Sequence, residues 1–383
     1  MYNYIPLEQA ADILDSYRKP VNSKERLNLI KGKPLDELFP YYGATGQVGW
    51  IDSFLTDGEY ILLGEDGAPF LNPYAEKAYI IYGKTWVNNH AHILRSKTNN
   101  EFLCYYLNYF NYKNYVSGTT RLKLTQAQMR KIPIPNIPSD EQSRIVASIE
   151  ELFSELDKAV DTLKTTKEQL EVYRQTILVD AFRAATNSTY LKVGCVCAKI
   201  VDCPHSTPKW EKSGKLCLRT TNFKRGYLDL QSPNYVSEET FNDRNRRIIP
   251  QPGDVLYSRE GSVLGIACTI PSNVYPCLGQ RMMLLRSGKK LNNRYLMHYL
   301  NSPMVTNHVI ATKGGTGSPH INVGDIKEFK IPIPSLEEQS NIVRQIEEQL
   351  SSCDNVEKTV DAILAQADAM RQSILKQAFE GTL

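Results

Sequence analysis

Apolar residues recur at alternating spacings of four and three in two long stretches of the chain. One stretch runs from Ser139 to Ala185 and the other from Ser335 to Glu380, and neither contains glycine or proline. A heptad pattern of this length is typical of a helix that packs along another helix. At about 1.5 Å per residue, each helix would be roughly 60 Å long. The positions of this heptad seam, all apolar except Thr166 and Gln349, are Ile145, Ile149, Leu152, Leu156, Ala159, Leu163, Thr166, Leu170, Tyr173 and Ile177, then Ile342, Ile346, Gln349, Cys353, Val356, Val360, Ile363, Ala367, Met370 and Ile374.

The two stretches are copies of one another. From Glu141 onward they align without gaps at an offset of 197 residues, so that Ile145 corresponds to Ile342. Each copy follows an Ile-Pro-Ile-Pro sequence, at residues 132–135 and 331–334. A repeat with a period near half the chain length indicates a protein that is built twice, each time as a globular segment followed by a helix.

The proline-rich sequences predict how each long helix begins. Prolines at alternate positions remove backbone donors and disfavour helix in the residue before them, so both sequences are expected to be extended. Ser139 and Ser335 then stand where an N-cap belongs, with Gln142 and Glu338 at the capping-box spacing behind them. Because a globular segment between two similar helices lets the chain turn round, we expect the helices to be antiparallel.

The predicted fold is α+β with an internal duplication. It consists of two similar α/β domains with irregular sheets, separated by two long antiparallel coiled-coil helices. The boundaries are residues 1–138 for the first domain, 139–185 for the first helix, 186–334 for the second domain and 335–383 for the second helix.

Short runs punctuated by glycine predict the strands of the first domain. The expected strands lie within Tyr41–Gly46, Gly58–Ala68, Lys77–Ile81 and His90–Leu94, the expected helices over Leu7–Tyr17 and Glu101–Tyr109, and a polar loop over Pro20–Arg26. Three segments of the second domain align with the 58–68 region, the Glu101 helix and the 118–121 loop of the first, namely Pro252–Ser262, Asn293–Asn301 and Lys313–His320.

Charge is distributed unevenly. The chain carries a net charge of +3, but the first helix has ten acidic and six basic residues, and the second has nine acidic and four basic. The globular segments therefore carry +12 between them. A basic domain surface favours a polyanion, most often nucleic acid, whereas acidic helices would be repelled by phosphate and are better suited to a protein partner.

Four sequence motifs of the first domain occur in an order that resembles one protein family. They are Lys24-Glu25-Arg26, the Tyr-Tyr-Gly-Ala-Thr-Gly run at 41–46, Gly64-Glu65-Asp66-Gly67-Ala68 and Asn89-His90-Ala91-His92. Together with the Ile-Pro-Ile-Pro exits and the Glu-Gln-Ser-x-Ile-Val helix starts, they resemble the specificity subunits of type I restriction-modification systems. The resemblance covers the whole chain, including its duplicated layout.

The resemblance implies a protein without catalytic activity of its own. Each domain would read one half of a split target in double-stranded DNA. The helices would recruit two modification subunits, which methylate adenine, and restriction subunits with motor and nuclease activity would join them. The resemblance places S-adenosylmethionine, ATP and Mg on those partners and no cofactor in this chain.

Basic and amide side chains in the loops of the two domains are the candidate DNA contacts. Lysine and arginine anchor phosphates, while arginine, asparagine and glutamine read base edges. The candidates are Lys84, Asn88, Asn89, Arg121, Lys123, Lys209, Arg219, Lys224, Arg225, Arg244, Arg246, Arg247, Arg259 and Lys313. Paired acidic residues on the helices are the candidate partner contacts, namely Glu150, Glu151, Glu347 and Glu348.

Two other classes of protein remain as alternatives, a DNA methyltransferase with its own cofactor site and a coiled-coil scaffold that binds only protein. Asn72-Pro73-Tyr74 resembles the Asn/Asp-Pro-Pro-Tyr/Phe motif of adenine methyltransferases but has one proline fewer. Gly314-Gly-Thr-Gly317 has no following Gly-Lys-Ser/Thr and so is not a P-loop. Cofactor binding by the isolated chain would identify the enzyme, and absence of duplex binding would identify the scaffold.

The cysteines and the hydropathy pattern indicate a protein of the cytoplasm. The eight cysteines form no compact disulfide framework, so we expect reduced thiols. Cys195, Cys197, Cys203 and His205 lack the usual spacing of paired zinc ligands, and we expect no metal there. We expect no membrane span and no secretion signal, since no apolar run approaches about 18 residues.

Overall fold

A computed structural model describes residues 3–185, 188–312 and 319–383. The chain divides into two compact units. Residues 1–164 with 361–383 form the first unit, and residues 165–360 form the second. Each unit therefore contains one globular segment together with a part of each long helix, so the division runs through the helices and not at their ends.

The first unit contains ten strands and four short helices within its described residues, and the first long helix begins in it. The strands are β1 (Tyr4–Pro6), β2 (Ala11–Ile13), β3 (Phe39–Gly43), β4 (Gly46–Ile51), β5 (Thr56–Asp57), β6 (Tyr60–Gly64), β7 (Ala78–Ile81), β8 (Lys84–Val87), β9 (Ala91–Ser96) and β10 (Pro133–Pro135). The helices are α1 (Leu7–Ala10), α2 (Ser23–Ile30), α3 (Asn100–Tyr109), α4 (Gln126–Met129) and the long helix α5 (Ser139–Ala184).

Two four-stranded sheets form the framework of this unit, in the orders β2-β9-β6-β7 and β4-β3-β8-β5. Strand β6 is central to the first sheet and is buried on both faces. Ile61 and Leu63 face the core that includes α3, while Leu62 faces the opposite core with Ile93. The side chains of a strand alternate between its faces, so a continuous apolar run is what a strand between two cores needs.

The predicted helix over Glu101–Tyr109 is confirmed as α3, but two predictions for the N-terminal region are wrong. The predicted helix over Leu7–Tyr17 is only four residues long, because Ala11–Ile13 instead pairs with β9. The predicted loop over Pro20–Arg26 contains the start of α2, whose N-cap is Asn22. The Asn22 side chain accepts a hydrogen bond from the backbone of Glu25 at 2.9 Å and so caps the helix.

The second unit contains twelve strands and five short helices within its described residues, and the second long helix begins in it. The strands are β11 (Thr189–Lys192), β12 (Cys197–Asp202), β13 (Trp210–Glu211), β14 (Lys215–Leu218), β15 (Phe223–Lys224), β16 (Tyr227–Leu228), β17 (Tyr235–Val236), β18 (Val255–Ser258), β19 (Ala267–Thr269), β20 (Cys277–Leu278), β21 (Met282–Ser287) and β22 (Lys330–Ile333). The helices are α6 (Val193–Val196), α7 (Glu238–Arg244), α8 (Asn293–Asn301), α9 (Pro303–Thr312), α10 (Val323–Glu328) and the long helix α11 (Leu336–Glu380).

The second unit repeats the first sheet of the first unit and three strands of its second sheet, where β14 pairs parallel with β20 as β3 does with β8. The fourth strand of that sheet differs, because β13 pairs with β17 whereas β5 pairs with β8. The sheets of the second unit have the orders β12-β21-β18-β19 and β13-β17-β14-β20. The central strand β18 again separates two cores, with Val255 and Tyr257 on the side of α8 and Leu256 on the opposite side. In both units a proline-containing strand pairs antiparallel with a strand near the start of the unit, as β10 does with β1 and β22 with β11. The predicted duplication and the extended proline segments are therefore confirmed.

The two long helices start in different ways. Ser335 forms the predicted capping box, accepting from the backbone of Glu338 at 3.3 Å while the Glu338 carboxylate accepts from the backbone of Ser335 at 2.9 Å. The prediction for Ser139 is wrong, because α5 includes this residue and the carbonyl of Pro138 accepts from the backbone of Gln142 at 2.9 Å. Proline supplies a carbonyl but no side-chain acceptor, so this end has no capping box.

Within the second unit, the segments of α5 and α11 lie antiparallel. Lys167 lies 3.6 Å from Glu357, and Arg174, seven residues later, contacts both Glu357 at 2.9 Å and the earlier residue Asp354 at 2.6 Å. In the first unit, the equivalent arginine, Arg371, forms an ion pair with Asp157.

Only part of the predicted heptad seam is buried. Ile149, Leu156, Ile177, Ile346, Cys353 and Val360 are buried, whereas Ala159, Tyr173, Gln349, Val356, Ile363 and Met370 are exposed. Each segment also packs on the globular part of its own unit, which brings residues outside the seam into the core. At the C-terminal end of α5, Phe182 contacts Tyr295 and Tyr299 of α8, each at 5.1 Å between ring centroids.

The C-terminal end of α11 packs on α3 in the same manner. Phe379 corresponds to Phe182 in the repeat, and its ring lies 5.5 Å from that of Phe102 and 5.2 Å from that of Tyr106. The last turns of each long helix are thereby fixed to a helix that lies against the central sheet of the same unit.

A buried glutamine anchors the N-terminal end of each long helix. The Gln339 side chain accepts from the backbone of Asn292 at 2.8 Å and donates to the carbonyls of Lys290 and Pro334, each at 2.9 Å. Its counterpart Gln142 accepts from the Thr98 hydroxyl at 2.9 Å and donates to the carbonyl of Ile137 at 2.8 Å. In each unit one side chain thus joins the segment that follows the proline strand, the long helix and the residues just before the helix on the sheet.

Among residues 3–185, 188–312 and 319–383, no helix has both the length and the apolar character that crossing a membrane requires.

Replacing Gln339 with leucine should destabilise the second unit. Three backbone groups would lose their partner, and each buried unsatisfied group costs about 1–3 kcal/mol, so we expect a loss of at least about 3 kcal/mol. Chemical denaturation of Gln339→Leu measures the change. The exposed Gln345→Leu is the matched control, and an equal effect of both variants would contradict the assigned role of Gln339.

Candidate nucleic-acid interface

In both units the same three segments meet beyond the end of the central strand. The strand register places Gly64 opposite Ala91 in the first unit and Ser258 opposite Met282 in the second. One residue further on, the backbone of Glu65 donates to the carbonyl of His90 at 2.7 Å, and that of Arg259 donates to the carbonyl of Arg281 at 3.0 Å. Glu65 therefore corresponds to Arg259, and His90 corresponds to Arg281.

The third segment joins through the carbonyl of the same residue. Leu124 donates to the carbonyl of Glu65 at 2.7 Å, and Ile321 donates to that of Arg259 at 3.0 Å. A shared glycine turns the chain two residues after Glu65 and Arg259, with φ of +80° at Gly67 and +88° at Gly261. Side chains other than hydrogen are unfavourable in this region of φ, which explains why the turn uses glycine in both copies.

In the first unit, two open grooves meet at this junction. A groove of about 650 Å³ is lined by Arg26, Tyr41, Asn88, Asn89 and His90, among others. A second groove, of about 760 Å³, shares Asn88 and His90 and extends to Arg121. The lining combines amide, imidazole and guanidinium groups, which are the donors and acceptors that base edges and phosphates require.

A buried charged cluster lies beneath the grooves of the first unit. Nδ1 of the fully buried His92 lies 2.7 Å from the Asp15 carboxylate, and Nε2 lies 3.0 Å from the carbonyl of Leu124. Both neighbours are acceptors, so a doubly protonated ring satisfies both contacts. Arg18 contacts the Asp15 carboxylate at 3.1 Å and also pairs with Glu65. The cluster fixes the ends of β2, β6 and β9 relative to one another.

Charge in this cluster controls the ionisation of its carboxyl groups. Burial by itself raises the pKa of Asp15, but the hydrogen bond and charge of His92, with Arg18, leave that pKa below its usual value. Burial likewise opposes ionisation of Glu65, and Arg18 and His92 hold its pKa below the usual value. Both carboxylates therefore stabilise the folded unit in their ionised form.

The second unit has a different cluster at the same place. Asp202 lies two residues after Ile200 of β12, just as Asp15 lies two residues after Ile13 of β2. Ile200 pairs with β21 at the position equivalent to the one at which Ile13 pairs with β9, so the two aspartates are equivalent. Here Arg259 binds Asp202 through two hydrogen bonds of 2.8 and 3.0 Å. An arginine thus occupies the position that Glu65 has in the first unit.

The structure brings most predicted DNA contacts of the first unit to the grooves. Asn88 is buried and accepts from the backbone of His90 at 2.8 Å, while the neighbouring Asn89 is exposed. Arg121 is exposed and lies 2.7 Å from Asp66, and Lys123 lies 3.3 Å from Glu65. Lys84 is exposed too, but it stands at the opposite end of β8, over the ring of Phe54 at 4.9 Å.

Four predicted contacts of the second unit lie in two separate places. Lys209 and Arg219 are exposed near Trp210, and the Arg219 guanidinium lies 5.3 Å from the centre of the indole ring. Lys224 and Arg225 line a cavity of about 350 Å³, whose other walls include the acidic side chains Glu171, Asp354 and Glu357 of the long helices. This cavity lies within the second unit and places its two basic residues beside the acidic helix surface.

Two predicted contacts have structural partners inside the second unit. Arg244 is 6 % exposed and donates to the carbonyls of Ser206, Leu278 and Gly279. Arg259 is 7 % exposed and binds Asp202 as described above.

The next two arginines after α7 are exposed. They are Arg246, which lies 3.2 Å from Asp243, and Arg247. Lys313 lies outside the described residues.

The candidate partner contacts are not equivalent. Glu150, Glu151 and Glu348 are exposed on the long helices. Glu347 is half-buried and binds Arg294 at 2.6 Å and His298 at 3.3 Å, within the second unit. Glu347 therefore contributes to attaching α11 to α8.

Of the remaining motifs, Gly314-Gly-Thr-Gly317 lies outside the described residues, and the other two have ordinary structural surroundings. Asn72-Pro73-Tyr74 forms a turn in which the Asn72 side chain accepts from the backbone of Tyr74 at 3.0 Å. Cys195 is exposed, Cys197 is half-buried and Cys203 is buried.

The DNA contacts predicted from the sequence did not include His90 or Arg281. Alignment of residues 58–68 with 252–262 places Asp66 on Glu260, but the following strands share too few residue types to extend it. The strand register shows that His90 and Arg281 are equivalent, which a comparison of residue types alone does not show.

The fold is duplicated, and each unit has a candidate DNA-binding surface at the same junction. The family model described as type I restriction modification DNA specificity domain matches residues 9–172 and again residues 203–364. The chain belongs to this family, and it is a type I restriction-modification specificity subunit.

The relatives agree with this assignment. A putative type I restriction enzyme specificity subunit of Haemophilus influenzae, S.HindORF215P, is 29 % identical over 88 % of this chain and 85 % of its own length. The specificity subunit of the EcoKI enzyme of Escherichia coli K12 is 24 % identical over 74 % of this chain and 65 % of its own length.

Solved structures share the fold. The HsdS subunit of Thermoanaerobacter tengcongensis superposes with a TM-score of 0.59 at 20 % identity, over 100 % of this chain and 97 % of that one. A chain solved in work on complex assembly and conformational transition of the type I R-M system gives a TM-score of 0.69 at 18 % identity, over 100 % and 98 % of the two chains.

The first unit should lose stability in acid through the buried cluster. A carboxyl group whose folded pKa is lowered contributes stability above its unfolded pKa, about 3.9 for aspartate, and that contribution is lost as the pH falls through the folded value. Asp15→Asn should therefore be less stable than the native chain at pH 7 and should lose less stability between pH 5 and pH 2. Thermal unfolding across this pH range measures the difference.

The exposed Asp12 provides the matched control for that experiment. Its carboxylate lies 3.7 Å from Arg95 and is half-exposed, so Asp12→Asn should leave the pH dependence unchanged. Parallel pH profiles for Asp15→Asn and the native chain would contradict the role of the cluster.

Proposed function

We propose that this specificity subunit is a non-catalytic DNA-recognition subunit that reads a bipartite target in double-stranded DNA. Each unit would read one half of the target. The observation that carries the proposal is the repeated framework beyond β6 and β18, which holds the same backbone junction in both units but presents different polar side chains. Two copies of one reading surface with different chemistry are suited to two different half-sites.

The long helices would bind two modification subunits, and restriction subunits would join that assembly. The support is the acidic character of the helices together with the exposed Glu150, Glu151 and Glu348. In this proposal S-adenosylmethionine is bound by the modification subunits, and ATP and Mg by the restriction subunits. The assembly would act in the cytoplasm, where its DNA is found.

Exposed arginines of the second unit should bind DNA phosphates. The observed binding constant of a protein on duplex DNA falls with salt at a logarithmic slope of about −0.9 per phosphate neutralised. Arg246→Glu with Arg247→Glu should weaken duplex binding and reduce the slope by about one to two units. Arg244 is not changed, because its guanidinium donates hydrogen bonds to three backbone carbonyls. Fluorescence anisotropy at several salt concentrations measures the affinity and the slope.

The control reverses the same number of charges on a helix. Arg144→Glu with Lys158→Glu changes two exposed basic residues of α5. Equal losses for the two double variants would indicate a general effect of net charge and would contradict contact at Arg246 and Arg247. Absence of duplex binding by the native chain and by its assembly would contradict the proposed function and favour a protein scaffold.

Charge reversal on the helices should impair assembly. Glu150, Glu151 and Glu348 would be changed together to lysine, because an exposed charge pair contributes only about 0–1 kcal/mol. Glu347 is kept, since it binds Arg294 and His298. Co-purification with the modification subunit should fall, while thermal unfolding of the isolated chain stays unchanged.

Acidic residues on the second globular segment supply the control for assembly. Glu211, Glu238 and Glu239 are exposed there and carry the same total charge. Their replacement by lysine should leave co-purification intact, and normal assembly of the helix variant would show that docking uses another surface.

A further inference from the structure

His90 and Arg281 occupy the same backbone position in the two units, and both side chains are exposed. The side chain of His90 is 40 % exposed and its Nδ1 lies 3.6 Å from the Asp66 carboxylate. The side chain of Arg281 is 54 % exposed and its Nε lies 3.8 Å from the Glu260 carboxylate. Asp66 and Glu260 are themselves equivalent, since each follows the residue that donates to the carbonyl of His90 or Arg281. The two units thus present a nitrogen-bearing side chain beside an acid at one matched place.

The backbone of Arg281 has an uncommon conformation. Its φ is +66°, in the left-handed region that residues other than glycine, asparagine and aspartate rarely adopt. The surroundings maintain it, because the Arg281 carbonyl accepts from Arg259 and the preceding Gln280 side chain accepts from the Thr207 hydroxyl at 3.2 Å. An exposed side chain held by an unfavourable backbone conformation indicates a functional requirement for its position.

The acidic neighbours indicate which part of DNA these residues contact. The Glu260 carboxylate, 3.8 Å from Nε of Arg281, would repel a phosphate oxygen, so the Arg281 position is poorly suited to a contact with the DNA backbone. A base edge carries no net charge, and a nearby carboxylate can accept from the amino group of cytosine. The distances also exceed ordinary hydrogen-bond lengths, which leaves donors of His90 and Arg281 available to a base.

We infer that His90 and Arg281 are the specificity-determining residues at one matched position of the two reading surfaces. Arg281 donates to O6 and N7 of a guanine in the half-site read by the second unit, the pairing that the planar fork of a guanidinium makes with base edges. His90, held between Asp66 and the Arg121 guanidinium, reads the corresponding position of the other half-site. This inference rests on the proposed reading of DNA and assigns the residues that carry it.

The test maps methylated sites in cells that express the chain with its modification subunit. Arg281→Gly removes the side chain and retains a residue that accepts positive φ. It should convert one guanine of one half-site, preferred roughly ten- to hundredfold by the native chain, to a position that accepts all bases. The other half-site and the gap should stay the same. His90→Ala should relax one position of the other half-site and leave the first unchanged.

Two further variants separate specificity from folding and affinity. Arg281→Asn also suits the left-handed backbone and should lose the same guanine preference. Arg246→Ala removes an exposed arginine away from this junction and should lower methylation evenly without changing the sequence.

The inference is overturned if assemblies with Arg281→Gly and His90→Ala methylate only the native sequence, or if both variants alter the same half-site. It is also overturned if both variants lower methylation evenly across all sites, as expected for Arg246→Ala. Loss of all methylation by both Arg281 variants, with native thermal unfolding, would also overturn it. A native assembly that methylates no defined split sequence would instead overturn the proposed function.

Discussion

The burial of one aromatic ring near the last turn of each long helix holds each unit together. Phe182 and Phe379 are at most 4 % exposed, and each packs edge-on against aromatic residues of a helix that covers the central sheet. Such aromatic pairs contribute about 0.5–1.5 kcal/mol beyond the area they bury. Because the ring belongs to the long helix and its partners belong to the sheet-covering helix, this contact attaches the sheet of each unit, with its candidate DNA-binding surface, to the helix.

Beyond that contact, the reading surface tolerates large changes in charge. The same backbone hydrogen bonds support a carboxylate at Glu65 in one unit and a guanidinium at Arg259 in the other. The equivalent aspartates have different partners in the two copies, since Asp15 contacts His92 and Arg18 whereas Asp202 binds Arg259. The main chain supplies the geometry of the junction, so side chains there can vary without loss of the fold.

The sequence was most informative where one physical requirement dominates. The heptads, the repeat and the alternating prolines predicted the long helices, the duplication and the extended strands, because each pattern has few structural interpretations. The seam was less well predicted. Tyr173 and Met370 are exposed since part of each helix packs on its own globular segment, and no local pattern records that second contact.

The candidate site was predicted in part for a related reason. Net charge indicated a basic surface, but it could not distinguish the buried Arg244 from the exposed Arg246, because both stand in one short polar run. His90 and Arg281 became recognisable only when strand register aligned them. Burial of a charged group depends on partners that are distant in sequence, whereas charge itself is a property of composition.

The division of the long helices between the units has an evolutionary consequence. The segment 361–383 completes the first unit, and it repeats residues 164–186, which the first half of the chain already contains. A half-length ancestor would therefore have carried every part that one unit needs, but with the completing segment at the far end of its own helix. Two such molecules could complete each other by exchanging these ends. Fusion of two copies of the gene would make the exchange permanent, and each copy could then change its reading surface without constraint from the other.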